Sequence, residues 1–121
     1  MSGHTVRMAE GMETGGTILS NKKKKEPSDR LYETILSLRD LDECKKFFSD
    51  LCTVAELRAM EQRFEVAILL SNGMIYNDIL ERTGASSATI SRVNRSLNYG
   101  ADGCTTVLPR VKEKLKADGK L

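Results

Sequence analysis

The run GASSATISRVNRSL, residues 84–97, sets small hydroxyl side chains at Ser86, Ser87 and Ser91 ahead of two guanidiniums at Arg92 and Arg95. Small hydroxyls can donate to phosphate oxygens or bridge through water to base edges. An arginine fork can clamp a phosphate or the edge of a guanine. If the run is a helix, its first turn adds unpaired N–H groups and the positive end of a dipole, both of which attract phosphate. Nucleophilic catalysis is a poorer match. No general base stands near these serines in the sequence, no hydrolase signature surrounds them, and no catalytic residue is assigned.

Other chemistry is thinly supplied. Cys44, Cys52 and Cys104 are odd in number and lack C-x-x-C spacing, and His4 is the sole histidine. Zinc, haem and a Cys–His pair are therefore unsupported, and no metal or cofactor is expected. The cysteines read as small thiols in a reducing compartment. The opening MSGHTVRMAEGMETGG lacks the apolar centre of a signal peptide, and no apolar run reaches the ~18 residues of a membrane span. A soluble, cytoplasmic chain without membrane partners is expected.

The formal net charge of +2 conceals an uneven distribution. Residues 1–27 carry five basic and three acidic side chains, residues 28–81 six and eleven, and residues 82–121 eight and three. The last third is thus +5 beside a −5 middle. A basic face of that kind suits a polyanion.

Stepping outward from residues 84–97, the chain is organised by helical signals. Residues 1–27 are rich in Gly, Ser and Thr, end in NKKKKEP and show no periodicity, so they read as a disordered arm before a domain at 28–121. PSDRLYETILSLRD has apolar residues at 31, 32, 35, 36 and 38, with Ser28 or Asp29 as cap. DLDECKKFFSDLC places Leu41, Cys44, Phe47, Phe48 and Leu51 on one stripe. TVAELRAMEQRFEVAILLSNG opens with the capping-box pattern Thr53–Glu56. It repeats Val54, Leu57, Met60, Phe64, Ile68 and Leu69 at helical spacing, with Gly73 as its stop. IYNDILERTG and SSATISRVNRSLNYG follow, stopped by Gly84 and Gly100, with Ala88, Ile90, Val93 and Leu97 as inward candidates in the second. TTVLPRVKEKLK is the last amphipathic helix. The fold class is all-α. Six short helices in one thin bundle leave much apolar surface, notably Phe47–Phe48 and FEVAILL, so burial against a second copy, a homodimer, is expected.

IYNDILERTGASSATISRVNRSL then reads as a helix-turn-helix. Gly84 permits a turn of three to four residues, Ile79, Ile90 and Val93 can meet in a shared wedge, and the second helix presents its N-terminal face. Its outward residues are Ser86, Ser87, Ala88, Ser91, Arg92 and Arg95. Residue types at these positions fit a DNA recognition helix.

Three runs carry a family likeness: T-x-x-E-x-x-A at Thr53–Ala59 followed by Arg63, L-x-x-G-M at Leu70–Met74, and G-A-x-x-A-T-I-S-R-x-x-x-S-L from Gly84 to Leu97. The stretch resembles the Trp-repressor superfamily, more closely its TrpR-related YerC/YecD-type group. The resemblance implies an intertwined all-helical dimer that sets a recognition helix of each copy into successive major grooves of double-stranded DNA. It also implies a ligand pocket, to which Thr53, Arg63, Arg92 and Ser96 correspond, although any small-molecule corepressor is unknown. Family members carry a glycine directly after the second arginine, leaving space for an indole. Here Val93 stands there, a β-branched side chain that would fill the space as core, so tryptophan is not expected to bind. Tyr76 and Asn77 match positions where the family touches DNA with a polar and a basic residue, and Leu80 replaces a lysine. Arg95 supplies a cation that the family lacks there. A different operator is implied.

The expected function is a sequence-specific transcriptional regulator, in particular a repressor, and not an enzyme. The alternative is a DNA-binding module associated with a transposase or recombinase, which would need a separate catalytic partner. A third reading makes the helix hairpin a protein-contact element, and that reading alone would survive loss of Arg92 and Arg95.

Overall fold

The computed structural model describes residues 26–120, so the arm expected at 1–27 lies almost wholly outside the described residues. Those residues form six α-helices and no strand, which is the all-α class. They are α1 Arg30–Leu36, α2 Leu41–Leu51, α3 Val54–Ser71, α4 Tyr76–Thr83, α5 Ser87–Tyr99 and α6 Gly103–Ala117. The chain divides into two compact units between Asp40 and Leu41.

The first unit contains α1. Both expected caps take part: Asp29 occupies the N-cap position without a side-chain bond, while the Ser28 hydroxyl accepts from the Arg30 N–H at 3.1 Å. No residue of α1 is buried, and Leu31, Tyr32 and Leu36 are exposed.

In the second unit the local signals explain where helices start and stop. Thr53 and Glu56 close a reciprocal capping box at the start of α3. Gly73, at φ +87°, ends it in a Schellman arrangement: the Met74 N–H donates to the Leu69 carbonyl and the Gly73 N–H to the Leu70 carbonyl. The left-handed φ there is open to glycine and strained for other L residues. Gly100 stops α5 for a different reason. A Cβ at that position would lie 2.4 Å from the Ser96 carbonyl oxygen, so the chain can turn there only without a side chain.

The core is small and aliphatic. Val66, Ala67, Ile68 and Leu69 from α3 meet Ile79 of α4, Ala85 of the turn, Ile90 and Val93 of α5 and Leu108 of α6. Each large member contributes roughly 1.5–3 kcal/mol by leaving water. The expected wedge of Ile79, Ile90 and Val93 is therefore part of this core. Ala88 is corrected: it is exposed, because it lies on the face of α5 opposite Ile90. Of the α3 stripe only Ile68 and Leu69 are buried, and Leu57 is half-buried. Val54, Met60 and Phe64 are exposed, as are Leu41 and Leu51 of α2, while Cys44, Phe47 and Phe48 are half-buried.

Helix α6 begins two residues before the run that predicts it, at Gly103, after Asp102 in a left-handed conformation at φ +65°. Pro109 sits inside it, and because proline has no N–H the Thr105 carbonyl loses its helical donor. Leu108 anchors the helix on the core, and the Lys112 ammonium donates to the Ser71 carbonyl at the C-terminal end of α3. That end carries unpaired carbonyls and partial negative charge, so a lysine is well matched to it.

Candidate nucleic-acid interface

Helices α4 and α5 are separated by Gly84, Ala85 and Ser86, a turn of three residues. Gly84 takes φ +72° and its N–H donates to the Leu80 carbonyl. Thr83 ties the turn together: its hydroxyl donates to the Ile79 carbonyl at 2.7 Å and accepts from the Ala85 N–H at 3.1 Å. Gln62 of α3 adds a bond from its side-chain amide to the Thr83 carbonyl at 3.3 Å. With Ala85 buried and both α4 and α5 packed on α3, the angle between the two short helices is set by the core. This is a helix-turn-helix.

Ser86 is the N-cap of α5. Its hydroxyl accepts from the Thr89 N–H at 3.1 Å and donates to the Thr89 hydroxyl at 3.0 Å. Both functions of that hydroxyl are thus committed within the helix start, and its role is first of all structural. Ser87, Ala88, Ser91, Arg92 and Arg95 are all exposed, with Ala88, Arg92 and Arg95 on the face away from Ile90 and Val93. At 100° per residue, Ala88, Arg92, Arg95 and Tyr99 fall within about 60° of one another on that face. Among the described residues neither Arg92 nor Arg95 is paired with a carboxylate. Two uncompensated cations therefore stand on the outward strip of α5. Tyr76 and Asn77 are exposed in the first turn of α4, whereas Leu80 packs against the core.

The four residues matched to a ligand pocket are only partly brought together. Arg63, Arg92 and Ser96 line a cleft of about 320 Å³ with Met60, Phe64, Ala67, Val93 and Cys104. Thr53 is elsewhere in this chain. It is exposed at the start of α3, about 15 Å along the helix from Arg63, with its hydroxyl accepting from the Glu56 N–H. Val93 is 7% exposed and joins the core as its type suggests, yet it forms one wall of the cleft and does not close it. The expectation that valine leaves no space is corrected on this point: the α3–α5 gap extends past it toward α6. Cys104 was invisible to sequence reasoning, since it reaches the cleft only through the packing of α6 on α3. Tyr99 was also overlooked, although its spacing from Ala88, Arg92 and Arg95 was available as a signal.

No group of His, Cys, Asp and Glu among the described residues could hold a metal ion, and no helix among them is long and apolar enough to cross a membrane.

Comparison with known proteins bears on this geometry. The chain is 55% identical over 85 residues to the uncharacterized protein YerC of Bacillus subtilis (strain 168), spanning 70% of this chain and 82% of that one. Its fold is similar to the crystal structure of a TrpR-like protein from Eubacterium eligens ATCC 27750, with a TM-score of 0.68 and 54% identity over 76% of this chain and 95% of that one. A candidate Trp repressor from Staphylococcus aureus gives a TM-score of 0.67 and 46% identity, covering 69% of this chain and 84% of that one. The sequence model of the Trp repressor protein family matches residues 26–112, a span that holds the capping box, the turn at Gly84 and the arginine strip alike. The chain belongs to the Trp repressor family.

Proposed function

We propose that this protein is a sequence-specific, DNA-binding transcriptional regulator of the repressor type, acting as a homodimer and without tryptophan. The single observation that carries the reading is the exposed strip of α5, where Ser87, Ala88, Ser91, Arg92 and Arg95 project from a rigidly held helix-turn-helix. Ser87 and Ala88 allow close approach to a groove floor, and Ser91 can donate to a base edge or a bridging water. Arg92 and Arg95, one turn on, supply the forks that meet guanine or phosphate. Tyr76 and Asn77, exposed in the first turn of α4, are available to touch the DNA backbone, which the first helix of such a motif crosses. Family membership and the basic charge of residues 82–121 support the same reading.

Dimerisation is supported by what the second unit leaves uncovered. Leu41, Leu51, Val54, Met60 and Phe64 are exposed on consecutive helices, a poor arrangement for an isolated chain in water. A two-fold dimer would cover them and fix the separation of two recognition helices, matching a palindromic operator. The family match over residues 26–112 supports reading most of residues 28–121 as a DNA-binding domain.

Selection of bound fragments from a randomised duplex pool by the purified protein tests the proposal. Enrichment of a two-fold symmetric sequence, with affinity falling steeply as salt rises, is the expected result. Absence of salt-sensitive binding to any duplex would remove it.

A further inference from the structure

We infer that Tyr99 contacts the phosphodiester backbone of duplex DNA at the edge of the groove that receives α5, an inference that rests on the DNA-binding reading above. Tyr99 is 85% exposed and occupies the last turn of α5. Its neighbours on the same narrow strip are Ala88, Arg92 and Arg95, at spacings of eleven, seven and four residues. The strip is polar and cationic, which is poor surroundings for an aromatic ring awaiting an apolar partner and good ones for a ring beside a polyanion. Its hydroxyl has no partner among the described residues.

Distance along the helix decides what the hydroxyl can meet. Eleven residues separate Ala88 from Tyr99, a rise of roughly 16 Å. The major groove is about 12 Å wide. A helix that enters by its N-terminal end, with Ala88 against the base edges, therefore carries Tyr99 past the groove floor to the sugar–phosphate ridge. There the phenol can lay its ring along the sugar and donate its O–H to a phosphate oxygen, a contact that fixes the register of the helix and reads no sequence. Gly100 makes the placement firm. At Gly100 the chain leaves the helix with φ −87° and ψ −152°, a path on which a Cβ would strike the Ser96 carbonyl, so glycine permits the exit seen immediately after Tyr99. The tyrosine is thereby the last residue that the strip can offer.

Binding of the full-length wild-type chain, Tyr99→Phe, Tyr99→Ala and Arg95→Ala is to be measured on the duplex that the wild type selects and on an unrelated duplex. Tyr99→Phe should weaken both by roughly tenfold, the loss of one hydrogen bond to a charged acceptor. Its salt dependence should match the wild type, since no cation is removed. Melting temperature and oligomeric mass should not change. Wild-type affinity in Tyr99→Phe, with Arg95→Ala impaired, would overturn the inference and leave the DNA-binding reading standing. A change of oligomeric mass in Tyr99→Ala would also overturn it, because the ring would then lie between copies. Failure of the wild type to bind any duplex would take down both readings together.

Discussion

Gln62 and Thr83, 21 residues apart in sequence, are joined by a hydrogen bond of 3.3 Å from the glutamine side-chain amide to the threonine carbonyl. The bond fastens the C-terminal end of α4 to the long helix α3 at the point where the chain turns toward α5. Thr83 is half-buried, so its carbonyl has few other donors within reach. Gln62→Ala should cost about 1 kcal/mol, read as a lower urea midpoint at unchanged slope. An unaltered midpoint would mean that the turn is held without this bond.

Gly84 and Gly100 end their helices by different physics, and substitution should separate them. At Gly84 a Cβ meets nothing within 4 Å, so alanine pays only for the left-handed φ of +72°, roughly 1–2 kcal/mol. At Gly100 a Cβ would lie 2.4 Å from a backbone oxygen, so the end of α5 must shift. Gly100→Ala should therefore lower the melting temperature more than Gly84→Ala. The opposite order would contradict the described exit from α5.

Arg92 and Arg95 should differ in kind if one faces a base and the other a phosphate. Replacing a phosphate-contacting arginine by alanine lowers affinity for all duplexes and reduces the salt slope by about 1. Replacing a base-contacting arginine costs roughly 1–3 kcal/mol at one operator position and relaxes specificity there. Titrations of each variant at several salt concentrations distinguish the cases. Unchanged affinity in both would disprove the assignment of the recognition face.

The exposed apolar residues of α2 and α3 should be covered by a second copy. Light scattering at micromolar concentration is expected to give the mass of a dimer. Phe64→Asp, which sets a charge beside Met60 on the exposed apolar surface of α3, should shift the population toward monomer. A monomeric wild type would leave those side chains without an explanation.

Tryptophan at millimolar concentration should leave the melting temperature unchanged, because Val93 occupies part of the space between α3 and α5. A ligand present at 100 times its dissociation constant would add about 2.7 kcal/mol of stability, a shift that is easily seen. A clear rise would show that the remaining cleft, bounded by Arg63, Arg92 and Ser96, admits the indole past the valine.

Features that depend on near neighbours were legible in the sequence. The Thr53–Glu56 box and the glycine after α4 each act within four residues, so their residue types announce them. Periodicity likewise identified Ile79, Ile90 and Val93 as sharing a core. It could not say which part of a long stripe the same chain covers, and in α3 Val54, Met60 and Phe64 stay uncovered while Ile68 and Leu69 are buried. The cleft was less legible still. Its walls come from α3, α5 and the first turn of α6, so Cys104 and Met60 become neighbours of Arg92 only once three helices pack. Thr53 shows the converse: its type and place in the motif matched, but its position at the helix start keeps it from Arg63 in the same chain.

Arg92 belongs to two surfaces at once, the outward strip of α5 and the wall of the cleft. One guanidinium cannot be aligned independently for each. Under the DNA contact proposed for Arg92, a molecule that engaged it from the cleft would alter the affinity for DNA by some factor, and DNA would alter the affinity for that molecule by the same factor, since the linkage is reciprocal. Sensitivity to small solutes would then follow from the placement of a single side chain.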